Sequence, residues 1–332
     1  MPESGPGGGR AALPGDRLTL DQLNDLRAAL PDLNFDIREV KAVPSPMLAE
    51  AYLSHYGLNF DDRYFHRWGR VMLPRYTIAC HYWLPTLQAT LPSKGMVLVV
   101  HGYFDHVGLY DHLIRHLLDT GYGVVAFDLP GHGLSSGEPA SIATFDHYVE
   151  VFDAICDRAS AHFAVPLSAV GQSTGGAIIL KHLATGRSDL ASATVLAPLV
   201  EPAYWWANRI LYALTHRFLR GVKRYFLANS SNADFVNFIA NNDPLQARQI
   251  PLEWVGAMKG WVEECRTMVP CDFPVTILQG DRDNTVAWRK NLEILARKFP
   301  RAAVCIINGA SHHLVNESRD LRARVFERLG FN

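Results

Sequence analysis

The sequence predicts an α/β protein: a mostly parallel sheet with helices on both faces. Three observations carry that expectation. Short apolar, β-branched runs recur at 96–100, 123–127, 167–170, 193–196, 275–278 and 303–307, the pattern that parallel strands buried on both faces require. Segments of helical period separate them, as with Tyr148, Val151, Phe152 and Ile155, and strand alternating with helix implies a parallel sheet between two helical layers. The chain of 332 residues, 48% of them hydrophobic, is long enough to bury a sizeable core in one large domain or two small ones.

Residues 1–10 are rich in Pro and Gly and contain an acidic Glu3. They lack the basic-then-apolar order of a signal peptide and read as a flexible tail. Thr19-Leu20-Asp21-Gln22 is a capping box opening a helix that carries Leu23, Leu26 and Leu30 and stops at Pro31. Residues 1–60 are therefore expected to form a tail and helical extension, and residues 61–332 the α/β domain. A strand pair is expected at 65–72 and 76–83, turning at Pro74-Arg75. The strand–helix alternation breaks once, at about 202–267, where no strand-like run occurs. A helical insertion leaving the carboxyl end of a strand would sit as a cap over the edge where α/β sheets bind ligands.

Composition excludes several classes. Lys and Arg number 32 against 33 Asp and Glu, which argues against a nucleic-acid binder. No stretch of 18 apolar residues occurs, so no spanning helix is expected. Five cysteines without a CxxC pair make neither a disulfide framework nor a zinc site, and fit a reducing compartment. His112 and His116 have ligand spacing but no third partner, so no metal is expected. Neither a G-x-G-x-x-G nor a P-loop is present, so no cofactor is expected.

Gly171-Gln172-Ser173-Thr174-Gly175 follows the 167–170 run and precedes a helical segment. A serine on a sharp strand-to-helix turn needs small flanking residues, which Gly171 and Gly175 supply, while Gly176 lets the helix approach the strand. The helix N-terminus then offers N–H groups to developing negative charge. A serine nucleophile needs a base, and the base an orienting acid, after later strands in the order Ser, acid, His. The 275–278 run leads into Gly280-Asp281-Arg282-Asp283, and the 303–307 run into Gly309-Ala310-Ser311-His312-His313. Spacing alone leaves both Asp281 or Asp283 and His312 or His313 open. For the oxyanion hole, the N–H of Thr174 is one donor. The loop His101-Gly102-Tyr103 supplies the Tyr103 N–H as the other. Asp128 and His132, in a Pro-Gly turn, are expected in local hydrogen bonds.

Taken together these motifs resemble the α/β-hydrolase superfamily and, within it, the monoacylglycerol lipase and lysophospholipase group, sometimes filed with the serine aminopeptidases. The resemblance runs from about residue 65 to 329. It is carried by His101-Gly102-Tyr103 with Asp105-His106, Asp128-Leu129-Pro130-Gly131-His132-Gly133, Gly171-Gln172-Ser173-Thr174-Gly175, Gly280-Asp281-Arg282-Asp283 and His312-His313-Leu314-Val315-Asn316-Glu317. It implies the α/β-hydrolase fold with an eight-stranded sheet and helical cap, Asp283 as the acid and His312 as the base. Thr174 stands where related lipases often carry Met. The implied function is a cofactor-free serine hydrolase cleaving esters of single-chain lipids, monoacylglycerol or lysophospholipid, through an acyl-enzyme. Rival readings are a short-chain carboxylesterase, a thioesterase, an aminopeptidase holding an α-amine on Glu201, Glu253, Glu263 or Glu264, or a non-catalytic small-ligand binder on the same fold.

Within the insertion, Trp206, Ile210, Leu214, Phe218, Val222 and Phe226 recur every fourth residue among Arg209, His216, Arg217, Arg220, Lys223 and Arg224. Such a helix either packs its apolar face on the domain, the reading given slightly more weight, or lies in a membrane interface. Gly221 weakens a single continuous helix. A cytoplasmic setting is expected, with peripheral membrane contact through the cap as the candidate addition.

Overall fold

The computed structural model describes residues 18–36, 45–60, 63–85, 91–92, 94–187 and 189–331. The tail expected at 1–10 lies outside these. Helices α1 (Leu20–Ala29) and α2 (Pro46–His55) precede strands β1 (Phe65–Met72) and β2 (Thr77–Leu84). Strand and helix then alternate: β3 (Met96–Val100), α3 (Asp111–Asp119), β4 (Gly123–Phe127), α4 (Phe145–His162), β5 (Leu167–Gln172), α5 (Thr174–Ala184) and β6 (Ser192–Leu196). The insertion holds α6 (Trp205–Thr215), β7 (Gly221–Lys223), α7 (Ala233–Asn237), β8 (Gln249–Pro251) and α8 (Leu252–Thr267). The chain closes with β9 (Val275–Gly280), α9 (Trp288–Lys298), β10 (Ala303–Ile307) and α10 (Arg319–Phe326).

Eight strands form one sheet in the order β1-β2-β4-β3-β5-β6-β9-β10. Only β1 with β2 and β2 with β4 run antiparallel. The parallel register pairs Val100 with Phe127 and Gly171, Gln172 with Leu196, Leu196 with Leu278, and Ile307 with Gly280. The loops leaving β3, β5, β9 and β10 therefore emerge side by side at one edge.

Successive residues of a strand point to opposite faces, so each strand feeds two cores. In β3, Leu98 and Val100 join a core with residues of α4, α5, α8 and α9, while Val97 and Val99 join a second core with α1, α2, α3 and α10. Fully burying a side chain of this size contributes about 1.5–3 kcal/mol. Strand β10 departs from the expected double burial: Val304 is 47% exposed and Ile306 38%, because it is the sheet's edge and lacks a covering helix there.

The capping box at Thr19 is present, with the Thr19 side chain accepting from the Gln22 N–H and the Gln22 side chain accepting from the Thr19 N–H. Beyond α1 the extension is laced to β1, where Leu33 N donates to Arg70 O and Arg70 N to Pro31 O, each at 2.8 Å. A Cβ on Gly69 would lie 2.4 Å from Pro31 O, so only glycine admits this approach. From α2, the Tyr52 ring stacks on Trp68 at 5.3 Å.

The insertion corrects two expectations. It contains an antiparallel pair, β7 with β8, each only three residues long and so without an apolar run. The helix begun at Trp205 stops at Thr215, short of Gly221. The apolar series does not pack on the domain as far as Phe218, with Trp206 70% exposed, Leu214 69% and Phe218 84%, whereas Val222 and Phe226 beyond it are half-buried. Only Trp205 is buried on this helix, because a single residue of it reaches the core shared with Trp254 and Trp261. Among the described residues no helix is long and apolar enough to cross a membrane.

Candidate active site

Ser173 stands between β5 and α5 with φ 53° and ψ −109°, a conformation costly for a residue with a side chain, of order 1–3 kcal/mol. Its surroundings hold it there. Ser173 N donates to Leu196 O at 2.8 Å, and Ser173 O accepts from Ala177 N and Leu199 N at 3.0 and 3.1 Å. A Cβ on Gly175 would fall 2.1 Å from Val100 O, and one on Gly171 2.5 Å from Gly175 C. Both glycines exist so that helix and strands can close around the turn.

Three loops converge on the serine. His312 Nε2 lies 3.0 Å from Ser173 Oγ, and His312 Nδ1 lies 2.7 Å from Asp283 Oδ2. The remaining acceptor capacity of Asp283 is used: Gln279 Nε2 donates to Oδ2 at 3.0 Å, and Thr285 N and Val286 N donate to Oδ1 at 2.8 and 3.1 Å. Burial would raise the Asp283 pKa, but the His312 charge and these hydrogen bonds outweigh it and hold the carboxyl below its ordinary value. Burial would likewise lower His312, but the Asp283 charge and hydrogen bond outweigh it, and its pKa is raised. An ionised carboxylate accepts from Nδ1–H and fixes the tautomer, leaving Nε2 as acceptor toward the serine hydroxyl.

The alternatives open on spacing take other places. Asp281 Oδ1 accepts from Gly309 N at 2.7 Å and ties the two loops together. His313 turns the other way, its Nε2 3.0 Å from Asp105 Oδ2.

The loop after β3 passes beside the serine, since a Cβ on Gly102 would lie 3.5 Å from Ser173 Cβ. Tyr103 follows it, and Thr174 opens α5, so the two peptides expected to form an oxyanion hole flank the nucleophile position. Asp105 Oδ2 braces this loop, accepting from Gly102 N at 3.2 Å and Tyr110 OH at 2.9 Å besides His313. Burial would raise its carboxyl, but the charge and hydrogen bond of His313 hold it well below the usual range. The Tyr103 ring stacks on Trp254 of α8 at 3.7 Å, and its hydroxyl donates to Ala140 O at 2.8 Å. His101 is neutral by geometry, for its Nε2 accepts from Leu129 N and its Nδ1 donates to Gly102 O, and burial pushes its pKa down to about 3. Asp128 accepts from Leu134 N and His132 Nδ1 donates to Pro130 O, the local bonds expected of that turn, and Asp128 also reaches beyond it to accept from Val107 N of the loop after β3.

Sequence reading missed three contributors. Gln172 Nε2 donates to His312 O at 2.9 Å, so the residue before the serine helps to position His312. The Asp105–His313 pair joins the loop after β3 to the loop after β10. Asp243 of the insertion is wholly buried, contacting His106 Nε2 at 3.0 Å and accepting from Tyr56 OH at 2.9 Å and Gln246 Nε2 at 2.8 Å. Apart from the Asp243–Gln246 bond, each spans elements distant in sequence, and no local pattern announces it. Among the described residues no group of three or more His, Cys, Asp or Glu is placed to hold a metal.

The family model described as serine aminopeptidase, S33, matches residues 92–319. Human monoglyceride lipase is 32% identical over 267 residues, covering 75% of this chain and 84% of its own length. The phospholipase YtpA of Bacillus subtilis is 25% identical, covering 58% of this chain and 77% of its own. The crystal structure of a soluble variant of Saccharomyces cerevisiae monoglyceride lipase superposes with a TM-score of 0.68 at 19% identity, covering 78% and 91% of the two chains.

Proposed function

The chain belongs to the serine aminopeptidase S33 family of α/β-hydrolases, and from that premise we propose that it is a carboxylic ester hydrolase acting on single-chain lipids through an acyl-enzyme. The observation that carries this reading is the buried hydrogen-bonded line Ser173–His312–Asp283 at the sheet's carboxyl edge. Ser173 Oγ attacks the acyl carbon as His312 Nε2 takes its proton. The Tyr103 and Thr174 N–H groups receive the oxyanion, and Asp283 stabilises the imidazolium. His312 then gives its proton to the leaving alkoxide, and water, deprotonated by the same imidazole, releases the acid. No cofactor enters these steps. Kinship with monoglyceride lipase and a phospholipase supports the lipid substrate.

The aminopeptidase alternative needs a free carboxylate near the serine. Glu201 is paired with Arg266 and Lys290, Glu253 accepts from Ser141 Oγ, and Glu264 is paired with Lys181, so these three candidates are engaged elsewhere, while the fourth, Glu263, is exposed on α8. The insertion serves as a cap, and its exposed Trp206, Ile210, Leu214 and Phe218 beside basic residues support peripheral contact with a lipid surface. The five cysteines are free, which supports a cytoplasmic setting.

Fluorophosphonate labelling, with hydrolysis of a p-nitrophenyl ester series by wild type and Ser173→Ala, tests the proposal. Labelling and turnover should vanish together in the variant, and turnover should favour medium or long acyl chains. Absence of labelling in folded wild-type protein would favour the non-catalytic binder, and a profile peaking at acetate would favour a short-chain esterase.

A further inference from the structure

A second feature of the site is unused by the chemistry above. The Arg224 guanidinium lies over the Phe104 ring, 3.8 Å from its centroid, and over Phe226 at 4.2 Å. Arg248 covers the same Phe226 at 4.9 Å. The result is a layered stack of Phe104, Arg224, Phe226 and Arg248, pinned by the β7–β8 pair through Arg224 N donating to Arg248 O at 3.0 Å. Phe104 belongs to the oxyanion loop, is held at φ 69° and contacts the Tyr103 ring at 3.9 Å. The stack therefore stands at the site.

Arg224 is half-buried, yet among the described residues neither arginine forms an ion pair. Its Nη1 donates to Gln246 Oε1 at 2.8 Å and Ala247 O at 3.2 Å, while Nε and Nη2 have no partner in the described chain. The two carboxylates nearest in charge, Asp105 and Asp243, are engaged with His313 and His106. No Asp or Glu occurs between Glu201 and Asp234, a segment that holds Arg209, Arg217, Arg220, Lys223 and Arg224. Withdrawing a cation from water without a counter-charge is costly, and burial pushes the Arg224 pKa down to about 10. Stacking between aromatic faces offsets part of that cost and leaves the fork's remaining donors preorganised.

We infer that Arg224, braced between Phe104 and Phe226 and assisted by Arg248, is an anion subsite that binds the phosphate of a single-chain ester whose alcohol carries a phosphate group. The inference rests on the ester-hydrolase reading for the fate of the acyl chain, but its anion site is independent of turnover. The planar fork suits two phosphate oxygens, and its contact with Phe104 puts the charge against the loop that carries the Tyr103 N–H, within reach of a polar group on the ester's alcohol. Among the lipid esters proposed above, the subsite selects lysophospholipid chemistry over neutral monoacylglycerol.

The test uses octanoyl esters of glycerol and of glycerol 3-phosphate, below the concentrations at which they aggregate, so that lipid surfaces play no part. The ratio of kcat/KM, phosphate ester over neutral ester, should fall about 10- to 100-fold in Arg224→Met, the loss of one charge-assisted contact, chiefly through KM. Arg224→Lys should recover part of it, and Lys259→Met, which removes an exposed cation from α8, should leave it unchanged. In wild type the ratio should fall as salt is raised, a readout that needs no variant. Calorimetric binding of the non-hydrolysable ether 1-O-octylglycerol 3-phosphate supplies the measurement without catalysis. If the esters are turned over but ratio and binding ignore Arg224→Met, the inference is overturned and the hydrolase reading survives. If no ester is cleaved yet the ether binds through Arg224, the anion site stands and the hydrolase reading falls. Glycerol 3-phosphate binding as tightly as the ether lipid would overturn the lipid assignment in favour of a free phosphate.

Discussion

Replacing Asp283 by Asn keeps the shape of the site and tests its electrostatics. Asp283 Oδ1 accepts from two backbone groups, Thr285 N and Val286 N, at 2.8 and 3.1 Å. The carbonyl oxygen of an asparagine must occupy that position, because an amide nitrogen there would set donor against donor. The NH2 group then faces His312 Nδ1, 2.7 Å away in the native site. His312 must present a bare Nδ1, its proton moves to Nε2, and Nε2 can no longer accept from Ser173. The expected loss in kcat is about 10⁴-fold, the size known for this tautomer error in other triads, or about 5.5 kcal/mol. The opposite amide orientation would restore the tautomer but leave two backbone N–H groups unsatisfied, against one, Gln279 Nε2, in the first, a net cost of about 1–3 kcal/mol. That escape therefore costs roughly 5-fold or more. The assay is kcat on a soluble p-nitrophenyl ester at saturation, with urea unfolding to verify the fold. A folded variant retaining more than about a fifth of the wild-type kcat would refute the reasoning.

Four further outcomes are expected. His312 is raised above its ordinary value and must be neutral to act, so kcat/KM should climb with pH through a midpoint above about 6.5; a midpoint below that value contradicts the coupling to Asp283. Asp105→Asn removes the charge shared by Gly102 N–H, Tyr110 and His313, and should cost about 1–3 kcal/mol of stability together with a lower kcat at little-changed KM, measured by urea denaturation and ester kinetics. Gly175→Ala drives a methyl to within 2.1 Å of the Val100 carbonyl, and a loss of about 2–4 kcal/mol is expected in denaturant titration; a neutral result would mean that α5 can move away from β3. Trp206→Ala with Phe218→Ala should weaken co-sedimentation with liposomes while sparing activity on soluble esters, and unchanged sedimentation would remove the lipid-surface reading.

What could be read beforehand follows from the range of the forces involved. Each parallel strand is a continuous apolar run, so β3, β4, β5, β6, β9 and β10 could be placed almost to the residue. The loops that follow them then pointed to Ser173, to Asp281 or Asp283, and to His312 or His313, because a catalytic loop in such a sheet is marked by its position after a strand. Choosing Asp283 over Asp281 and His312 over His313 needed the family resemblance, since the deciding partners, Gln279 with the Thr285 and Val286 amides in one case and Asp105 in the other, are visible only in three dimensions. The strands β7 and β8 escaped notice because three-residue ladders carry no period. For the apolar face of α6 the sequence leaves packing and lipid contact both open, with packing weighted slightly higher, because a four-residue repeat is identical for a helix on a core and a helix on a lipid surface; the exposure of Trp206 and Leu214 speaks against packing.

The extension before β1 reaches further into the molecule than its position in the chain suggests. Tyr56, at the end of α2, donates to Asp243, which also holds His106 of the loop leaving β3, and the Tyr56 and His55 rings rest against Phe238. The beginning of the chain thus clasps the returning limb of the insertion from behind. A chain trimmed to the family-matched residues 92–319 would unfasten that limb and strip one donor from a carboxylate with no access to water. Tethering or shortening at the amino terminus becomes a way to alter how firmly the insertion is held against the loop leaving β3, without touching Ser173, Asp283 or His312.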